Sequence, residues 1–305
     1  MKPVEIGELP FVSIVVCTYN RKKLLKDCLN SIFSADYPSS LYEVIIVDGG
    51  STDGTKELCK AFPKIRFIIE SKFGLAHARN KGASLARGSV VAYVDDDCVV
   101  DKFWLKNLLK GFQYSKSVVG VGGPVFPLHP ELIPPKIFVL APLGFYDEGR
   151  AIKLVSGIVM PNSAFRRQIF ETIQFDETLG VTKRGKLILL GEDTEFCRNI
   201  INSGYQLLYT PYAKVYHQMI MERLTVRYII EHSFGNGIVT AKSILKQKNS
   251  RIWAVRIASG GVAQAFFASF SRRSFTSCYM LVAAVSTLLM SITSLDEVLV
   301  PSPKH

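Results

Sequence analysis

Carboxylates recur in this chain where buried strands should end: Asp48 after EVIIV, Asp95 and Asp97 after SVVAYV, and Asp193 in GEDTEF. A carboxylate at a strand's end can reach a crevice without being buried unpaired, and several together suggest a cation-assisted site. The run Asp95-Asp96-Asp97 sets up to three like charges side by side in an apolar context, which costs free energy unless something positive neutralises them. A divalent cation does this well, because Mg2+ or Mn2+ takes carboxylate oxygens and then substrate phosphates. A solvated acidic turn is the plain alternative. In an extended segment Asp95 and Asp97 point the same way, which makes those two the expected site pair.

The elements that must position these acids are legible from hydrophobic runs. Val12 to Cys17, Val44 to Val47, Ile65 to Ile69 and Val90 to Val94 read as buried strands, rich in Val and Ile and bounded by polar turns. Between them, Arg21 to Phe33, Thr55 to Ala61 and Leu75 to Ala86 have helical spacing. Such alternation implies an α/β fold, a mostly parallel sheet with helices on both faces, whose ligands bind at the carboxyl ends of the strands. A Pro-rich stretch from Pro124 to Pro142 reads as a long loop over the site. Regular patterning resumes at Leu154, and a further helix is expected from Thr194 to Ser203. At its start Asp193 reads either as a plain helix cap or as a carboxylate kept ionised at pH 7 by the helix terminus.

The chain has 305 residues, 48% of them hydrophobic, enough for a sizeable core. Its 37 Lys and Arg exceed 26 Asp and Glu, giving a net charge of +11 that favours phosphate-bearing ligands, nucleic acid or an anionic membrane. No aromatic-interleaved basic stretch supports nucleic acid. The six cysteines form no CxxC pair and read as reduced core thiols, which suits the cytoplasm. Residues 1–10 carry acids and no apolar run, so no secretory signal is expected. Nine Lys and Arg against three Asp and Glu fall between Arg227 and His305, alongside the uncharged runs 257–271 and 274–295. Three readings of these runs stay open: a span, helices lying on the membrane, or a hairpin packed on the rest of the chain.

FVSIVVCTYNRKKLLKDCLNSI, EVIIVDGGSTDGT, GLAHARNKGASLARGSVVAYVDDD and GEDTEFCRNIINSGYQLLYTPYAKVYH resemble, in order, the successive motifs of family-2 glycosyltransferases, over about residues 11–217. The resemblance implies a GT-A fold and a nucleoside-diphosphate sugar donor, with a UDP-sugar expected. It also implies a divalent metal, Mg2+ or Mn2+, and transfer with inversion to a hydroxyl acceptor in cell-envelope polysaccharide or glycolipid synthesis. The GT-A domain would occupy residues 1–220, with a nucleotide-binding half at about 11–100 and an acceptor half at about 101–220. Residues 221–305 would be helical and associated with the inner face of the cell membrane.

On this resemblance Thr18, Tyr19 and Asn20 pack around base and ribose, Asp48 accepts a hydrogen bond from the base, and Arg79 lies near the diphosphate. Asp95 and Asp97 match the metal-binding D-x-D motif, toward ribose and diphosphate respectively, with Asp96 beside the nucleotide sugar. His217 matches a late histidine near the metal. Asn162 and Arg166 fall in the segment matching the acceptor wall, Asp193 matches the general base, and Glu192 beside it orients the site or touches the acceptor. Ser51 and Asp53 belong to the second motif, which departs from the family at Gly49, where many members carry a second Asp. Asn80 and Gly82 would only shape their helix, and Arg223 and Arg227 could approach phosphates. Two rivals keep the fold. A nucleotidyltransferase-like enzyme lacks support because no Gly-rich loop with a Lys follows the first strand. A non-catalytic sugar-nucleotide-binding protein would not need the intact set Asp48, Asp95, Asp97 and Asp193.

Overall fold

The computed structural model describes residues 9–72, 74–132, 144–181, 188–189 and 191–219. Arg223, Arg227 and the runs 257–271 and 274–295 lie outside them. The alternation expected early in the chain is present: β1 (Val12–Thr18), α1 (Lys22–Phe33), β2 (Tyr42–Asp48), α2 (Thr55–Lys60), β3 (Ile65–Ile69), α3 (Leu75–Leu85) and β4 (Val90–Tyr93). There follow β5 (Cys98–Val100), α4 (Trp104–Gly111), β6 (Val118–Gly122), β7 (Val125–Pro127), β8 (Lys153–Val155) and β9 (Ser163–Arg166). The described chain ends with α5 (Glu192–Asn202), β12 (Gln206–Tyr209) and β13 (Val215–His217), after a short antiparallel pair, β10 (Gly180–Val181) and β11 (Ile188–Leu189).

One compact unit, Met1–Pro130, Gly144–Thr178 and Glu192–Met219, carries all the candidate site residues inside the described chain. Its main sheet has eight strands in the order β3-β2-β1-β4-β9-β6-β12-β8. The strands β3, β2, β1 and β4 pair in parallel, while β9 and β8 run against their neighbours. Side chains of a strand alternate between faces, so β1 serves both layers of the core. Val12, Ile14 and Val16 join Leu25 and Leu29 of α1 and Trp104 and Leu108 of α4 on one face. Val15 joins Ala83 of α3, Tyr93 of β4 and Phe196 of α5 on the other. Full burial of each such aliphatic or aromatic side chain stabilises the fold by about 1.5–3 kcal/mol.

From β3 at the sheet edge the chain crosses back over β1 to reach β4. The switch point, where α/β sheets bind ligands, therefore falls between the carboxyl ends of β1 and β4. The helix α3 lies hard against β1: a Cβ at Gly82 would stand 2.3 Å from Val15 Cγ1, so only glycine permits this approach. A second sheet, in the order β5-β13-β7, pairs His217 with Cys98.

Two expectations need correction. The Pro-rich stretch does not begin as loop, because β7 forms the edge of the second sheet, where a proline needs no ladder hydrogen bond. The late helix begins two residues earlier than its periodicity suggested, which puts Glu192 and Asp193 inside its first turn. No helix among the described residues is long and apolar enough to cross a membrane.

Candidate active site

The center of the site is Arg79, whose side chain is 3% exposed. Its Nη1 donates to Asp193 Oδ1 at 2.6 Å and to Glu192 Oε1 at 3.0 Å, and its Nη2 reaches Asp95 Oδ1 at 3.4 Å. Three segments distant in sequence thus meet on one guanidinium: α3, the turn after β4 and the first turn of α5. Several contacts hold Arg79 in place. Tyr93 Oη donates to its carbonyl at 3.1 Å, and the guanidinium lies 5.7 Å from the center of the Phe175 ring.

Three carboxylates share this single buried cation, and the pKa shifts follow from the imbalance. Burial works against the Arg79 charge, yet Asp193, Asp95 and Glu192 raise its pKa and keep it protonated. Burial pushes Asp193 up to about 7, and repulsion from Glu192 and Asp95 adds to the rise that Arg79 and the Met160 N–H oppose. Desolvation and like charges thus oppose the helix terminus, which contributes about 1 kcal/mol toward the ionised form. A group poised near neutrality is suited to taking a proton.

The acidic run is not extended. The strand β4 ends at Tyr93 and Asp96-Asp97 lie in a turn closed by Cys98 N donating to the Asp95 carbonyl at 3.1 Å. The two outer aspartates consequently diverge, correcting the expectation of a common direction. Asp95 faces Arg79, whereas Asp97 faces His217, with Asp97 Oδ1 and His217 Nε2 3.3 Å apart. The register of β13 against β5 delivers that histidine, and Gln218 N donates to the Asp97 carbonyl at 2.7 Å. Donor atoms of Asp97, Cys98 and His217 all fall within 4.8 Å of one another, the group among the described residues that could hold a metal. Burial and Asp97 push the Cys98 thiol well above its usual range, so it remains protonated. A carboxylate suits Mg2+ or Mn2+, whereas an imidazole prefers a softer ion than Mg2+, so Asp97 and His217 together fit Mn2+ better than Mg2+. Asp95 is not part of this group.

Asp96 turns into the protein. It accepts from Thr18 Oγ1 at 2.8 Å and from Arg21 Nη1 at 3.0 Å, and the same nitrogen reaches Asp97 Oδ2 at 3.2 Å. Burial lifts Asp96 to about 7 despite these partners. Its placement therefore ties β1 to the acidic turn, with its oxygens given to Thr18 and Arg21. Arg21 is the residue that sequence reasoning missed. The signal was present, since three adjacent acids demand a cation and TYNR supplies one in the facing loop.

The loops after β1 and β2 are clasped together. Asn20 N donates to Ser51 Oγ, Thr52 N donates to Asn20 Oδ1, and Lys22 N donates to Asp53 Oδ2, each at 2.8 Å. Asn20 adopts φ 52°, a left-handed conformation that Asn tolerates better than most residues. Asp48 is buried and its oxygens accept from Gly50 N, Ser51 N and Ser51 Oγ, so it organises its own turn. Tyr19 stays 43% exposed beside Gly49, where a Cβ would come within 3.2 Å of its ring.

The two acceptor-side residues lie elsewhere. Asn162 is fully buried, accepting from Trp104 Nε1 at 2.8 Å and donating to the carbonyls of Pro124 and Ala213 at 2.8 and 2.7 Å. It ties loops together and presents nothing to an acceptor. Arg166 pairs with Val90 at the start of β4, the opposite end of the sheet from Asp95, and donates to the carbonyls of Val118 and Phe112. Asn80 clamps the backbone of Phe175, its Nδ2 donating to the carbonyl and its Oδ1 accepting from the N–H, both at 2.9 Å.

Residues 13–174, just over half of the chain, match the family described as Glycosyl transferase family 2. Over 103 residues the sequence is 40% identical to "Glycosyltransferase AglE" of Haloferax volcanii, an alignment covering 32% of this chain and 34% of that one. Over 238 residues it is 27% identical to the "Glucosyl-dolichyl phosphate glucuronosyltransferase" of the same organism, covering 74% and 75%. Among solved structures, the mannosyltransferase PcManGT from Pyrobaculum calidifontis, in complex with GDP-Man and Mn2+, superposes with a TM-score of 0.61. Identity is 21%, with coverage of 92% of this chain and 87% of that one. That likeness shows the fold, the GT-A architecture anticipated from the motifs.

Proposed function

The chain belongs to glycosyl transferase family 2, and from that premise we propose that it moves a sugar from a nucleoside-diphosphate donor, with a UDP-sugar expected, to an acceptor hydroxyl with inversion. The donor lies across the strand ends, its nucleotide beside the clasped loops at Tyr19 and Asn20 and its sugar toward Asp95. Asp193 takes the acceptor's proton as that oxygen attacks the anomeric carbon in line, and the nucleoside diphosphate leaves from the opposite face. The proton ends on Asp193, and no covalent enzyme intermediate is needed. Asp97 and His217 would hold the divalent cation, which when bound stabilises charge on the leaving diphosphate. Fixed positioning of the reacting groups contributes much of the remaining rate enhancement.

One observation carries this reading. Arg79 touches both Asp193 and Asp95, so the proposed base and the donor-side acid open on the same crevice. The likeness to an enzyme named for a dolichyl phosphate-linked sugar supports a lipid-linked glycan acceptor. The basic C-terminal quarter supports work at the inner face of the membrane. A screen of UDP-, GDP- and dTDP-sugars, run with and without membranes, tests the proposal through release of the nucleoside diphosphate. Release from one donor class, suppressed by EDTA and restored by Mg2+ or Mn2+, is the expected outcome. Silence with every donor in the presence of lipid-linked and soluble acceptors would sink it.

A further inference from the structure

We propose that Arg79 is a positioning residue of the transfer, fastening the base Asp193 to the donor-side Asp95 with one buried guanidinium. The inference rests on the reading of Asp193 as the base. It departs from the role implied by sequence resemblance, a cation beside the diphosphate. With its side chain 3% exposed and Nη1 committed to Asp193 and Glu192, Arg79 reaches substrate only through the carboxylates it holds.

The geometry around Asp193 is specific. Its Oδ1 accepts from Arg79 and its Oδ2 from the Met160 N–H at 3.1 Å, so two bonds from different segments set the plane of the carboxylate. The side chain remains 26% exposed, open toward the crevice. A base that must meet an acceptor hydroxyl at about 3 Å loses rate steeply when displaced by about 1 Å. Arg79 is in turn over-determined by Tyr93 Oη on its carbonyl, by Phe175 beside the guanidinium and by the glycine contact of α3 with β1. The base is thereby referenced to the rigid sheet that carries the donor-side turn.

Stability alone does not account for this cluster. Three carboxylates around one buried cation are more negative than the cation can neutralise, and apolar residues of similar volume would serve folding as well or better. The planar fork of Arg is what the arrangement uses: Nη1 and Nη2 address the acceptor-side and donor-side acids separately, which the point charge of Lys cannot do. The charged groups facing Asp193 are Arg79, Glu192 and Asp95.

The test uses the full chain, with transfer and donor binding measured separately for Arg79→Lys, Arg79→Gln, Asp193→Asn and the double variant Arg79→Lys/Asp193→Asn. Arg79→Lys is expected to lower kcat about 10- to 100-fold while the Kd for the nucleoside diphosphate changes less than about threefold. In the Asp193→Asn background the same change should cost less than about twofold, because its effect passes through the base. Arg79→Gln should move the acidic limb of the kcat/KM profile to higher pH by about one unit. Equal losses from Arg79→Lys in both backgrounds, or a limb that stays in place at reduced amplitude, would overturn the inference. Should Arg79→Gln fail to fold, the double-variant comparison decides alone. Wild-type chain inactive with every donor would instead point to failure of the transferase reading itself.

Discussion

At the carboxyl end of the sheet, Arg79 serves Asp95, Glu192 and Asp193. At the amino end, a single buried carboxylate, Glu43, receives Arg66 Nη1 at 3.0 Å, Arg87 Nε and Nη2 at 3.1 and 2.9 Å, Ser13 Oγ at 2.8 Å and Arg87 N at 3.0 Å. Both clusters bridge distant segments, yet their charge ratios are reversed. Burial alone would raise the pKa of Glu43, but Arg87, Ser13 and Arg66 hold it down to about 2, whereas Asp193 is pushed up to about 7. A carboxylate with surplus donors acts as a structural fastener. A cation with surplus carboxylates leaves charge uncompensated, which is useful where a proton must move and costly elsewhere.

The contrast can be broken most decisively at Asp193. Asp193→Asn is expected to lower transfer about 1000-fold while donor binding, read by calorimetric titration, stays within a few fold and thermal stability does not fall. A rate near wild type would remove Asp193 from its role. At the other end of the sheet, Glu43→Ala should cost about 2 kcal/mol of unfolding free energy in urea, since the arginines it leaves are partly exposed and rehydrate, with activity per folded molecule unchanged. A loss of activity without loss of stability would contradict its assignment as a fastener.

The two clusters should also respond to pH with opposite sign. Glu43, depressed from 4.5 to about 2, contributes stability that is present above pH 4.5 and lost as pH falls through about 2. Asp193, raised from 3.8 to about 7, binds its proton more tightly when folded, so its contribution to stability declines as pH rises from 3.8 to about 7. Its activity as a base moves the other way. Transfer should climb about tenfold per pH unit below pH 7 and level off above it, and a flat profile between pH 5 and 8 would count against the assignment. The smallest effect is expected at Arg166→Gln, which should leave transfer within about twofold and cost about 1 kcal/mol for its lost carbonyl contacts.

Much of the donor half was readable from residue order. Alternating buried strands and amphipathic helices dictate a parallel sheet, and acids at strand ends must lie at its carboxyl edge. Gly82 and Asn80, read as shaping their helix, do so by close approach to Val15 and by clamping Phe175. The acceptor half was less legible. Asn162 and Arg166 have side chains suited to sugars, but burial and strand register give them to Trp104, Pro124, Ala213, Val118 and Phe112.

The sequence by itself determined which segments alternate, where the carboxylates fall along them and which family pattern they follow, because periodicity and strand-end position are local properties. Tertiary structure decided which carboxylate meets which cation. Asp96 turned inward to Arg21, Asp97 went to His217 through the register of β13 on β5, and Asp95 met Asp193 through Arg79. These pairings join residues 16 to 120 positions apart (Asp95 from Arg79, His217 from Asp97). Desolvation and Coulomb forces depend on distance in space, and the order of the chain leaves that distance open until the sheet closes.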